Sequence, residues 1–98
     1  MKFTTVTIRR GTGPIASQTI IANGIVCQID QQSLDMQQFD HGAAPYDLFA
    51  IEAWTSLIAR NDHLVDENQT GDVYTVSTRV EPFPDGHCEL QATMPVGS

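Results

Sequence analysis

No apolar run in this sequence comes near the roughly 18 residues that a membrane-spanning helix needs. The N-terminal MKFTTVTIRRGTG likewise lacks an apolar core followed by a small-residue cleavage site. The expectation is a soluble, unprocessed chain without a membrane partner. Positive charge is scarce: 5 Lys+Arg stand against 12 Asp+Glu, a formal net charge of −7. Such a chain as a whole repels phosphate backbones and anionic lipid, which argues against tight binding of DNA or RNA. Only 2 cysteines occur, Cys27 and Cys88, far apart and outside any CxxC pair. They read as small buried hydrophobes rather than as a disulfide. Internal repeats and low-complexity linkers are missing too, so the 98 residues make a single domain, 1–98, with one modest core. A domain of this size is only marginally stable alone, and partners are expected to complete it.

Signatures of chemistry are equally sparse. His41, His63 and His87 lie far apart and none belongs to HExxH or HxxxH, so a metal site would have to be assembled by folding. GTGP at 11–14 has neither the lysine nor the following helix of a phosphate loop, and no serine sits in a GxSxG elbow. Asn68-Gln69-Thr70 fits the glycosylation pattern, but without a signal peptide it reads as chance. The expectation is a protein that is not an enzyme and carries no cofactor and no metal. The competing reading is a small metal-dependent enzyme using His41, His63 or His87 with Asp62 or Asp66, which metal analysis would decide.

What the sequence does contain is short alternating runs separated by turn residues, the pattern of an all-β fold. FTTVTI puts Phe3, Thr5 and Thr7 on one face and Thr4, Val6 and Ile8 on the other, and ends at the Gly11, Gly13, Pro14 turn. SQTIIANGIVCQID reads as two strands joined by a hairpin at Asn23-Gly24, because both residues tolerate positive φ. Residues 31–45 form a long polar loop. YDLFAIEAW predicts a strand over 46–54, with a short helical turn over 53–60 as an open alternative. HLVDE, the polar break NQTG and DVYTVSTRV predict a hairpin, with Asp66, Glu67 and Asp72 as acids solvated at its end. A cation site there is the sharper alternative, though the spacing is not that of an EF-hand loop. A turn at EPFPDG and a closing strand HCELQAT complete a small β-barrel or sandwich of about six to seven short strands.

The order of three stretches is distinctive: Arg60-Asn61-Asp62-His63-Leu64-Val65-Asp66, then Thr70-Gly71-Asp72-Val73-Tyr74-Thr75-Val76, then Pro84-Asp85-Gly86-His87-Cys88-Glu89-Leu90. It resembles the small head-closure, head-to-tail connector or stopper proteins of tailed bacteriophages, in which an "x-GD-x-LVD" loop introduces a strand and "TG-x-x-Y-x-V" forms the next hairpin. Asn61 stands where that pattern has Gly; Asn also enters the left-handed region. The resemblance implies a structural virion protein of the phage neck, assembled in the host cytoplasm, with a homo-oligomeric ring, a dodecamer or alternatively a hexamer. Such a ring would lie between portal or adaptor protein and tail terminator or tube protein. It would close the capsid after packaging and pass double-stranded DNA at ejection without tight binding. Within residues 31–45, Leu34, Met36, Gln37, Gln38 and Phe39 would then be the gating loop in the lumen. Asp66, Glu67, Asn68, Thr70 and Asp72 would be the hairpin that contacts a neighbouring subunit or ring. The alternative is a generic β-barrel assembly module, an adaptor or tail-completion protein without a gating role.

Overall fold

A computed structural model describes residues 1–32, 46–69 and 71–95. Its strands are β1 (Lys2–Arg10), β2 (Thr19–Gln32), β3 (Tyr46–Ala53), β4 (His63–Asp66), β5 (Val73–Val76), β6 (Glu81–Pro82) and β7 (Cys88–Pro95). All pairings are antiparallel, in the order β3-β2-β1-β4-β5-β7-β6. A further β3–β7 ladder, from Tyr46↔Pro95 to Ala53↔Cys88, closes the sheet on itself. The result is a closed six-strand barrel with β6 as the extra strand. Closure removes most of the free edges that an open sheet of this size would leave.

The alternation legible in the sequence is what fills this barrel. Val6 and Ile8, Cys27 and Ile29, Phe49, Ile51 and Ala53, Leu64, Tyr74 and Val76, and Leu90 and Ala92 all point inward and are buried. Phe49 and Tyr74 meet edge to face, with ring centroids 5.0 Å apart. Fully buried Ile8, Ile51 and Leu64 each contribute about 1.5–3 kcal/mol relative to an exposed position. Cys27 and Cys88 face inward as free thiols. Both are paired to Ala53, on opposite sides of it, so a whole strand lies between them; two strand spacings are about 9–10 Å in a flat sheet and roughly 8 Å where a small barrel curves. Either distance is beyond the roughly 7 Å a disulfide spans.

Two sequence expectations are corrected. Asn23-Gly24 does not close a hairpin: β2 runs through it, and Val6↔Ile25 is followed by Ile8↔Ala22, so both residues oppose Thr7 alone. The positive φ of Gly24, 68°, serves a β-bulge that bends the long strand where the barrel wall must curve. Residues 54–62 contain no helical turn either; the only helical turn among the described residues is the 3-10 segment Ile15–Ser17. Residues 57–62 are instead tied down by Asp62. Its carboxylate accepts Arg10 Nε at 2.7 Å, Arg10 Nη2 at 2.8 Å and the Ala59 N–H at 2.8 Å. Arg10 Nη2 also donates to the Leu57 carbonyl at 3.0 Å. A bidentate, largely buried carboxylate outweighs the weak helix propensity of so short a stretch. Asn61 takes φ 74°, a left-handed conformation that Asn enters more readily than most residues.

Candidate functional site

The β4–β5 hairpin forms as the sequence predicts, Leu64 opposite Tyr74 and Val65 opposite Val73. Its acids, however, are not all solvated. Asp66 is the inward-facing last residue of β4 and is 0% exposed, because the strand alternation that buries Leu64 also buries the residue two positions on. Its Oδ1 accepts the Thr4 hydroxyl at 2.8 Å, the Asn68 N–H at 2.8 Å and the Gln69 N–H at 3.2 Å. Its Oδ2 receives no well-aligned hydrogen bond but lies 2.7 Å from the Lys2 ammonium, which also donates to the Tyr74 hydroxyl at 3.3 Å. Burial pushes the Asp66 carboxyl up, and the pairing with Lys2, Thr4 and the two backbone N–H groups overcomes it, leaving the carboxyl below its ordinary value. The same pair raises Lys2.

Glu67 points outward but is also used within the fold. Its carboxylate accepts the Gly24 N–H at 2.6 Å and the Thr7 hydroxyl at 3.0 Å, while its own N–H donates to the Thr5 carbonyl at 2.9 Å. The hairpin end is thus clamped across the β2 bulge. Asn68 is exposed and donates through Nδ2 to the Thr4 hydroxyl at 2.7 Å, and Asp72 is half-buried with Lys2 at 3.8 Å. Among the described hairpin residues singled out in the sequence, Glu67, Asn68 and Asp72 therefore offer the surface that a neighbour would meet, and Asp66 is internal. Thr70, and Leu34, Met36, Gln37, Gln38 and Phe39 with most of the 31–45 loop, lie outside the described residues. What is described is their mounting: Gln32 sits opposite Leu48, and Tyr46 opposite Pro95, so the segment leaves from and returns to a three-strand β2–β3–β7 platform.

His63 and His87 go to separate places, and His41 lies outside the described residues. His63 Nδ1 lies 2.8 Å from Gln18 Oε1. Neither it nor His87 joins Asp62 or Asp66, whose carboxylates are engaged by Arg10 and Lys2. His87 follows a turn in which the Gly86 N–H donates to the Phe83 carbonyl and the Phe83 N–H to the His87 carbonyl. Its ring stacks on Phe83, centroids 4.5 Å apart and 3° from parallel, with the Trp54 ring 6.1 Å away. Nδ1 is hydrogen-bonded to Asp85, which also accepts the His87 N–H at 3.1 Å. Nε2 faces Glu89 Oε2 at 3.5 Å, and ligand atoms of Glu52, His87 and Glu89 all lie within 4.8 Å of one another. The Asp85 carboxylate, then Glu89 and Glu52, push His87 up. Glu52 and Glu89 border an open groove of about 460 Å³ that also includes Asp30, Glu81 and Arg79. Sequence reasoning considered His87 but missed both glutamates, because only the register that sets Glu52 opposite Glu89 brings them together.

No helix of the described residues is long and apolar enough to cross a membrane. No protein-family model matches the chain, and no curated protein or solved structure is significantly similar to it.

Proposed function

We propose that the chain is a structural assembly subunit that presents residues 33–45 from a rigid barrel, and specifically a head-closure subunit of a tailed-phage neck. The observation that carries this reading is the platform: the strands flanking the segment are locked side by side to their last residues, Gln32↔Leu48 and Tyr46↔Pro95. A barrel built this way can hold Leu34, Met36 and Phe39 at a ring axis, where copies bury apolar surface that one chain has little means of covering. Two further features support it. Phe3 and Val26, 64% and 49% exposed, are diagonal neighbours on the outer face, where Phe3 opposes Gln28 and Thr5 opposes Val26, an apolar strip suited to lateral packing of copies. The excess of 12 acids over 5 basic residues suits a channel past which DNA slides without phosphate contacts.

The test has two parts. Ultracentrifugation and imaging of the purified chain, alone and with its adaptor, read the assembly: closed rings are expected, and a chain that stays monomeric with adaptor present refutes the reading. Deleting residues 33–42 then separates gate from scaffold, since shortening a loop costs little while the barrel carries the core. The shortened chain is expected to keep its β circular dichroism and to enter capsids that leak DNA before tails attach. Normal DNA retention would leave the assembly module without a gating role.

A further inference from the structure

We propose that Glu52, His87 and Glu89 form a binding site for one divalent transition-metal ion, of which Zn²⁺ is the type. This departs from the metal-free expectation drawn from the sequence, and it stands whether or not the chain forms a ring.

The imidazole is prepared as a ligand. Asp85 engages Nδ1, the carboxylate–histidine arrangement that fixes the tautomer and leaves the lone pair on Nε2 for a metal. Phe83 stacks flat on the ring and holds its plane, so the direction of Nε2 is set before any ion arrives. The gap in front of it has the right size. Nε2 and Glu89 Oε2 are 3.5 Å apart, longer than the roughly 2.7–3.2 Å of a direct hydrogen bond. Two ligands held at about 2.0–2.2 Å from one tetrahedral zinc are separated by about 3.3–3.6 Å. The Glu52 carboxylate completes a three-ligand set within 4.8 Å.

The strand register independently calls for a cation here. Glu52 is directly opposite Glu89 across β3 and β7, and Glu81 is directly opposite Glu89 across β6 and β7. Three carboxylates in one cross-strand row repel one another, and among the described residues none of them is paired with Lys or Arg. A divalent ion between Glu52, Glu89 and His87 converts that repulsion into a brace joining β3, β7 and the 83–87 turn. Its fourth position is left for water or a neighbour's side chain.

Trp54, the only tryptophan, reports on the site from 6.1 Å beyond the His87 ring. The full chain, stripped with chelator, is titrated with Zn²⁺ by calorimetry and with Co²⁺ by tryptophan fluorescence. The expected result is one ion per chain, Trp54 quenched by Co²⁺, and a Zn²⁺-dependent rise in Tm. His87→Ala and Glu89→Gln should each weaken binding at least tenfold. Asp85→Asn, which acts only through the orientation of His87, should weaken it by about 10- to 100-fold, and His63→Ala should leave it unchanged. Circular dichroism of each variant checks the barrel. The proposal is overturned if neither metal binds saturably, or if binding survives in the folded His87→Ala and Glu89→Gln variants.

Discussion

Replacing Asp66 by Ala should be among the most damaging single changes in this barrel. The side chain is fully buried and accepts hydrogen bonds from Thr4, Asn68 and Gln69 while its second oxygen faces Lys2. Truncation leaves the buried Thr4 hydroxyl and two backbone N–H groups without this acceptor, at about 1–3 kcal/mol for each donor left dry. Asn68 and Gln69 are exposed and recover water in part, so their share falls at the low end. Lys2, with 40% of its side chain exposed, rehydrates and adds little. The total is about 3–4 kcal/mol, within the range for breaking one side of a buried ion pair and a large part of the roughly 5–15 kcal/mol that such a domain has. Urea unfolding should show the midpoint falling by about 1–4 M, given slopes of about 1–3 kcal/mol per molar. Asp66→Asn retains Oδ1 as acceptor but loses the pairing with Lys2 and turns an amide NH2 toward that ammonium, so it should cost about 1–3 kcal/mol, still less than Asp66→Ala. Because the folded carboxyl titrates below its ordinary 3.8, its ionic contribution is present above that value and is lost as pH falls through the lower folded one. The gap between wild type and Asp66→Asn should therefore close in strong acid. If Asp66→Ala costs less than about 1 kcal/mol, or as little as Asp66→Asn, the network is not what holds the hairpin to β1.

Three other expectations follow from single positions. Gly24→Ala meets no atom within 4 Å, so its cost is the φ of 68° alone, about 1–2 kcal/mol, whereas Asn61→Gly, at φ 74°, should be neutral or mildly stabilising; urea midpoints that reverse this order would refute the bulge argument. Burial first, then the neighbouring Cys88 and Asp66, push the Cys27 thiol up to about 12, so a thiol reagent at neutral pH should label it only as fast as the chain unfolds, and immediate labelling of native protein would contradict the barrel. His87 titrates above its ordinary 6.5 and Asp85 below 3.8, so the stabilisation from His87 is whole below 6.5 and disappears as pH rises through its folded value, while that from Asp85 disappears in acid. The Tm difference between wild type and His87→Gln, measured without metal, should peak between those two limits; a difference that grows toward alkaline pH would refute the pairing.

Much of this barrel is written locally, and the misses share one cause. Alternation in FTTVTI, HLVD and VYTV dictates which side chains turn inward, because successive residues of a strand point to opposite faces whatever the strand pairs with. The hairpin between β4 and β5 was legible for a related reason: turn chemistry is decided within a few residues. Asn23-Gly24 is where local reading fails. A residue pair that allows positive φ permits a hairpin or a bulge equally, and Thr7 with the Glu67 carboxylate, distant in sequence, selects the bulge. Asp66 carries the same lesson with the opposite sign. Its place in the alternation already marks it as inward, but a buried carboxylate is tolerated only where partners are supplied, and Lys2 and Thr4 come from the far end of the chain. The meeting of Glu52, His87 and Glu89 was not legible at all, since register between β3 and β7 is set by closure of the whole barrel. Pattern along one strand determines which face a residue takes; only the pairing of strands decides which charges become neighbours.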